Sequence, residues 1–362
     1  MDTDYLRVLE GTEPETEIVD CRKDPWLGAQ MGGELIAMGE LVAFPTETVY
    51  GLGANGLDAE AVRRIFKAKG RPGDNPLIMH IENQKQIERL WTEVPHKAQV
   101  LMHTFWPGPL TLIYHRAGIV PDEVTAGLST VAVRMPDNEV ALALIKEAGV
   151  PIAAPSANLS GKPSPTTAEH VLADMKGKIP LILDGGPCRF GVESTVLSLV
   201  GTPTILRPGA VTKEMLEAVI GHVELASCLL KPMEAGEKVL SPGMKYKHYA
   251  PKAQVHVVTG TPEKAALRIV ERYAEFTQAG KKVSVAGTRQ TMGYYKARKM
   301  PAVLMGDRDN PVTLCANLFT LLRALDEEGA EIILCEGISP EGTGLAYMNR
   351  LLRAAGFEVE EV

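Results

Sequence analysis

Cysteine is scarce in this sequence and badly spaced for either of its structural uses. The five thiols, Cys21, Cys188, Cys228, Cys315 and Cys335, are odd in number and never paired on one turn, which argues against zinc and against a disulfide framework. They read as reduced thiols. Aromatic residues, 3 Trp, 9 Tyr and 7 Phe, make up only 5% of the chain, too few for a dense platform on which nucleic-acid bases could stack. Positive charge is not in excess either. With 38 Lys and Arg against 45 Asp and Glu, the net charge is -7, so no global field recruits a phosphate backbone or an acidic membrane, although a local basic cleft remains compatible with it. No run of 18 apolar residues occurs, and Met1 to Glu10 is acidic and mixed instead of basic and then apolar. The expectation is a cytoplasmic protein with no membrane partner.

What is present is an ordinary globular composition, 45% hydrophobic and 23% charged over 362 residues, a length that suggests two domains at roughly 150 residues each. Gly (34) and Pro (25) together are well above the usual share of about 12%, and they cluster before residue 250, as in Pro107-Gly108-Pro109, Gly161-Lys162-Pro163-Ser164-Pro165 and Gly185-Gly186-Pro187. Between these loops lie short β-branched runs: Leu41 to Phe44, Leu77 to Ile81, Leu110 to Tyr114, Thr130 to Arg134, Ile152 to Ala154, Leu181 to Leu183 and Ser194 to Leu199. Helical spacing appears in Trp26 to Met38, Asp58 to Lys69, Lys97 to Thr104, Glu139 to Ala148, Thr167 to Met175 and Thr212 to Ile220. The interspersed pattern predicts an α/β or α+β fold. Periodicity fails from about Ala226 to Lys252, which reads as a linker. Beyond it, strands at Val255, Val283, Ala302 and Glu331 alternate with helices at Pro262, Pro311 and Gly344, as in a small, largely parallel, doubly wound domain. The organisation is therefore 1–225, a linker 226–252, and 253–362.

Two familiar phosphate-binding signals fail on inspection. Gly51-x-Gly53-x-x-Gly56 matches the dinucleotide fingerprint, but polar residues intervene where that fingerprint needs a tight turn after the strand. No P-loop exists, since Ser160-Gly161-Lys162-Pro163 has proline where a hydroxyl is required. His96, His103, His248 and His256 lack partners at metal-site spacing and read as solvated or core histidines.

Two other segments carry chemistry. The helix from Asp58 to Lys69 has an N-capping aspartate and ends at Gly70, and cations at its last turn are accounted for by the helix dipole alone. The loop that follows, Lys69-Gly70-Arg71-Pro72-Gly73-Asp74-Asn75-Pro76, sets two cations and an amide among rigid turn formers, and reads equally as an anion site or a solvated turn. Pro155-Ser156-Ala157-Asn158-Leu159-Ser160-Gly161 follows the apolar strand Ile152 to Ala154 and suits close approach by a polar ligand, or an Asx-type turn. Arg134 and Arg207 each stand where a short strand exits, and together with the Lys69/Arg71 loop they tilt the balance toward an anionic ligand.

Pro45-Thr46-Glu47-Thr48-Val49-Tyr50-Gly51-Leu52, Lys69-x-Arg71-Pro72-x-x-Asn75-Pro76-Leu77, Phe105-Trp106-Pro107-Gly108-Pro109-Leu110-Thr111, Pro155-Ser156-Ala157-Asn158-x-Ser160-Gly161, Ser194-Thr195-Val196 and Arg207-Pro208-Gly209 resemble, as an ordered set, the YrdC-type threonylcarbamoyl-AMP synthases. Ser241 to Pro251 and the domain after it resemble the longer, two-domain branch of that family; Met1 to Cys21 is unmatched. The resemblance implies a YrdC-like twisted mixed sheet with flanking helices and a smaller Rossmann-like C-terminal domain. It implies that L-threonine, bicarbonate and ATP give L-threonylcarbamoyl-AMP and pyrophosphate, with tRNA and a threonylcarbamoyl-transfer machinery as downstream partners. Lys69, Arg71, Ser156 and Asn158 would form the catalytic signature. Arg71, Asn75, Thr130, Ser156, Ser164, Arg207 and Tyr246 would contact ATP, with Tyr249 a lesser candidate than Tyr246. Thr48, His80, Arg134, the backbone of Ala154, and Ser194 would hold threonine. Magnesium (Mg2+) would be held mainly by ATP, without side-chain ligands, and Glu47 has no assigned role. The competing readings are a non-catalytic RNA-binding module with a basic cleft, and carbamoyl transfer as in larger YrdC-like proteins, whose extra zinc-finger cysteines are missing here.

Overall fold

The computed structural model describes residues 15–232 and 248–362. Eleven strands build the first sheet: β1 (Glu17–Asp20), β2 (Val42–Phe44), β3 (Gly51–Asn55), β4 (Ile78–His80), β5 (Leu110–His115), β6 (Thr130–Arg134), β7 (Ile152–Ala154), β8 (Leu181–Asp184), β9 (Thr195–Ser198), β10 (Thr204–Arg207) and β11 (Glu224–Leu225). Their order is β1-β8-β2-β3-β7-β4-β6-β5-β9-β10-β11. Pairing is mixed. For example, β4 runs parallel to β6 but antiparallel to β7, and β9 runs antiparallel to β10.

The apolar runs become strands within a residue or two of where the sequence puts them, and β6 and β7 coincide with them. Helix Ala59–Lys69 starts as its sequence requires: the Asp58 side chain accepts from the backbone N–H of Glu60 and Ala61, and the helix ends on Gly70 at φ 61°. The glycine fingerprint proves to be something else. Gly51 and Gly53 lie inside β3, not in a turn, and the space their side chains would occupy is taken by the Phe44 ring of β2.

The second sheet holds β12 (Gln254–Thr259), β13 (Val283–Thr288), β14 (Ala302–Gly306), β15 (Ile332–Glu336) and β16 (Val359–Glu361), ordered β14-β13-β15-β12-β16 with every pair parallel. Alternate residues face opposite ways. Val255, Val257, Ile333 and Cys335 pack with helices Pro311–Glu327 and Gly344–Ala354, while Val258, Ile332 and Leu334 pack with Pro262–Gln278 and Met292–Ala297. Helices thus cover both faces, as in a doubly wound sheet, although β15 separates β13 from β12 where the dinucleotide-binding order would set them side by side.

The two units are packed on one another. Leu345 joins the core of the first sheet, and Val49 and Val192 join that of the second. The stretch read as a linker is anchored at its start, since Cys228 and Leu229 are buried and their carbonyls accept from Arg353 and Asn349. Among the described residues no helix is long and apolar enough to cross a membrane. All five cysteines are free.

A Cβ added at Gly53 would lie 2.8 Å from Ile152 and 2.9 Å from Phe44. We expect Gly53→Ala to cost about 1–3 kcal/mol through overpacking. The effect is read as a lower urea midpoint at unchanged m-value.

Candidate active site

The site lies across β3, β7, β4 and β6, which are consecutive in the sheet. Ile78 and His80, two residues apart, share one face; Ala154 stands opposite Ile78 and Arg134 opposite His80. Loops at the strand ends complete the wall: Thr46 and Thr48, Lys69 and Arg71, Ser156 to Ser164, Glu193 and Ser194, Arg207, and the described end of the linker with His248 and Tyr249. Together they enclose a cleft with about 740 Å³ of empty space including its mouth.

Lys69, Arg71 and Arg207 each donate to neutral acceptors. The Lys69 ammonium donates to the carbonyls of Ser156 and Asn158, so it is more than a helix-end charge. Burial, with Arg71 next to it, holds that ammonium well below the usual lysine range. Ser156 Oγ donates to Asn158 Oδ1, and the Asn158 amide donates to the carbonyls of Leu159 and Lys162, which fixes the loop. Arg71 Nη2 donates to the Asn75 carbonyl at 2.9 Å. Arg207 donates to Ser194 O at 3.0 Å and Oγ at 3.1 Å; burial lowers its pKa to about 10, leaving it charged at neutral pH. Ser194 Oγ lies 2.8 Å from Thr111 Oγ1.

Arg134 donates to Thr48 Oγ1 at 3.0 Å and faces Glu47 Oε2 at 2.7 Å, an ion pair without hydrogen-bond alignment. Glu47, unassigned in the sequence, is thus the counter-ion of a site arginine. Burial, then the charge of Arg134, lowers the His80 pKa to about 3, and burial, then Arg71, lowers that of His248 to about 4, so both imidazoles are neutral at pH 7. The described residues lining the cleft include five cations, Lys69, Arg71, Arg134, Lys162 and Arg207, and one carboxylate, Glu193; Glu47, paired with Arg134, and Asp174, paired with Lys162, are not among them.

The sequence-derived set is largely brought together: Thr48, Lys69, Arg71, His80, Arg134, Ala154, Ser156, Asn158, Ser164, Ser194 and Arg207 all line this cleft. Asn75 is fully buried behind Arg71. Thr130 is the exception. It opens β6, whereas Arg134 ends it, and four steps of about 3.3 Å along the strand separate them by roughly 13 Å. Tyr246 lies outside the described residues, while Tyr249, the lesser candidate, is on the cleft wall. His248, read as solvated or core, also lines it. Glu193 was missed, although it directly precedes the Ser194-Thr195-Val196 motif.

A family model described as "Telomere recombination" matches residues 34–209, and one described as "Threonylcarbamoyl-AMP synthase, C-terminal domain" matches 211–356. The threonylcarbamoyl-AMP synthase of Pyrococcus abyssi is 50% identical over 331 residues, 90% of this chain and 94% of that protein. That of Bacillus subtilis is 51% identical over 327 residues, 90% and 92% of the two chains. The chain belongs to the threonylcarbamoyl-AMP synthase family. The crystal structure of P. abyssi Sua5 complexed with L-threonine matches it with a TM-score of 0.87 at 47% identity, covering 96% of this chain and 99% of that one. Both sheets are therefore part of the family's two-domain architecture, and the chain is an enzyme of that synthase family.

Arg134 is the counter-ion of the 4%-exposed Glu47. Arg134→Ala should lower the unfolding free energy by about 3–5 kcal/mol, because it strands a buried carboxylate. Adding Glu47→Gln should recover part of that loss. Urea denaturation of the wild type and the two variants checks both statements.

Proposed function

We propose that the cleft joins L-threonine, bicarbonate and ATP into L-threonylcarbamoyl-AMP with release of pyrophosphate, and that a transferase machinery passes the product to adenosine in tRNA. The observation that carries this reading is the convergence of Lys69, Arg71, Arg134 and Arg207 on one cleft with a single carboxylate among its described lining residues. Such an excess suits a triphosphate beside an amino-acid carboxylate. The threonine bound by the P. abyssi protein supports the amino-acid half.

In this reading Arg71, Ser156, Ser164 and Arg207 contact ATP, Asn75 supports Arg71 from behind through its carbonyl, and Lys69 and Asn158 complete the catalytic loop. Thr130 is left out, because it sits at the far end of β6 from Arg134. Arg134 and Thr48, already joined, take the threonine carboxylate, with Ser194, the backbone of Ala154 and a neutral His80 around the rest. A hydroxyl-lined wall of Thr46, Thr48 and Ser194 offers polar partners to a hydroxylated side chain.

The threonine amine adds to bicarbonate, or to the carbon dioxide derived from it, giving a carbamate and water. A carbamate oxygen then attacks the α-phosphorus, the α–β phosphoanhydride bond breaks, and pyrophosphate leaves. No side chain need act as nucleophile. The enzyme's work is to hold two anions in line and neutralise them. An arriving triphosphate favours the charged form of Lys69 and so opposes the effect of burial on it.

Water would hydrolyse both the carbamate and the mixed anhydride. The described end of the linker helps exclude it: His248 and Tyr249 lie on the wall, and Ala250 N donates to Gly161 O at 2.9 Å. Among the described residues no group of three or more His, Cys, Asp or Glu side chains forms a metal cage, and Glu193 is already engaged by Ser164 and Arg350. Magnesium entering with ATP would be held by the phosphates, and no step here depends on it.

Pyrophosphate release should require ATP, threonine and bicarbonate together; turnover without threonine overturns the reading. Lys69→Ala and Arg71→Ala should each lower turnover more than about tenfold, equivalent to about 1.4 kcal/mol of transition-state stabilisation, with an unchanged circular dichroism spectrum.

A further inference from the structure

The C-terminal unit sets Arg350 against the back of the cleft wall. Helix Gly344–Ala354 is buried along its whole length, and Arg350 at its centre is fully buried. The helix is seated by Asn349, which donates to Leu229 O at 2.6 Å, and by Arg353, which donates to Cys228 O at 3.0 Å. From that seat Arg350 Nε donates to Glu193 Oε2 at 2.8 Å, Nη2 to Glu193 O at 3.2 Å, and Nη1 to Pro208 O at 2.8 Å. The other Glu193 oxygen accepts from Ser164 Oγ. One guanidinium therefore grips both segments that carry Ser194 and Arg207, and through Glu193 it also fixes Ser164.

Charge adds a second reason for the contact. Glu193 is the one carboxylate among the described residues lining the cleft. Arg350, and after it Arg207, hold that carboxyl below its ordinary range against the opposing effect of burial, so it is negative in the folded protein. Left unpaired, it would repel phosphate and be free to pair with Arg207 instead.

We infer that Arg350 is a positioning residue of the synthase cleft: it neutralises and orients Glu193, and so keeps Ser164 and Arg207 available to the triphosphate. This rests on the reading of the cleft as an ATP site. The consequence is a selective effect on the nucleotide. Arg350 reaches none of the groups assigned to threonine except through Ser194.

The test is steady-state pyrophosphate release by the full-length chain, with ATP and threonine varied separately, for wild type, Arg350→Met, Glu193→Gln and the double variant. Arg350→Met should raise the ATP KM at least tenfold and the threonine KM less than threefold. In the Glu193→Gln background the same substitution should move the ATP KM less than threefold, because the stranded charge is gone. Arg350→Gln, which keeps a donor without the charge, carries the same prediction if the methionine variant does not fold. An unchanged ATP KM overturns the inference. So do parallel rises in both KM values that persist beside Glu193→Gln, the signature of a purely structural role. If wild type itself releases no threonine-dependent pyrophosphate, the ATP reading falls and takes the inference with it; an active wild type with an insensitive ATP KM sinks the inference alone.

Discussion

Like charges held together out of water are the constraint around which this molecule is arranged. Lys69, Arg134 and Arg207 are each less than a tenth exposed, and Arg71 and Lys162 complete the same wall. Burial disfavours their charged forms, and neighbouring cations add to the cost, as Arg71 does at Lys69. Most of the compensation is neutral: carbonyls of Ser156 and Asn158 for Lys69, of Asn75 for Arg71, of Ser194 for Arg207. Neutral acceptors satisfy the N–H groups but leave the positive potential standing. That residual potential is what a polyanionic ligand meets, although Glu47 beside Arg134 and Asp174 beside Lys162 offset part of it.

This arrangement dictates the backbone around it. Carbonyls can face a buried ammonium only where the chain leaves regular pairing, at strand ends and in loops, and those loops must not relax away. Proline and glycine supply the stiffness and the close approaches. At Gly209 a Cβ would lie 2.4 Å from Thr195 N and 2.7 Å from Ser194 C, so the Arg207-Pro208-Gly209 turn runs in backbone contact with the segment that Arg207 grips. The loop-rich composition of the first 250 residues follows from the same need.

Legibility in the sequence tracked the range of the cause. Helix Ala59–Lys69 and strands β6 and β7 were readable because their signals are local: a capping Asp58, a left-handed Gly70, unbroken β-branched runs. β3 was not, because two glycines hide a strand whose side-chain space belongs to Phe44 on its neighbour. Lys69 could be placed at a helix end, where a solvated cation would be unremarkable; its burial depends on a loop 87 residues away. A strand's apolar pattern also does not say which end approaches a ligand, and Thr130, taken from the resemblance alone, stands at the opposite end of β6 from Arg134. Glu47 opposite Arg134 and Glu193 opposite Arg350 are long-range pairs of the kind that no spacing rule reveals.

The C-terminal sheet can be understood as the support of one helix. At the carboxyl end of β15, where doubly wound sheets commonly bind ligands, Glu336 is fully buried, and both its oxygens are taken by Thr288, Thr291, Tyr295 and Arg308. A carboxylate satisfied on every side braces its surroundings and has no bonding capacity left to offer a ligand. The brace continues outward. Tyr347 Oη donates to the Glu336 carbonyl at 2.8 Å, and Tyr347 lies one helical turn before Arg350. Rigidity thus passes from the sheet, through Tyr347, to the guanidinium that holds Glu193. On this argument the second unit acts on the first cleft by fixing where one charge sits, and it needs no chemistry of its own to do so.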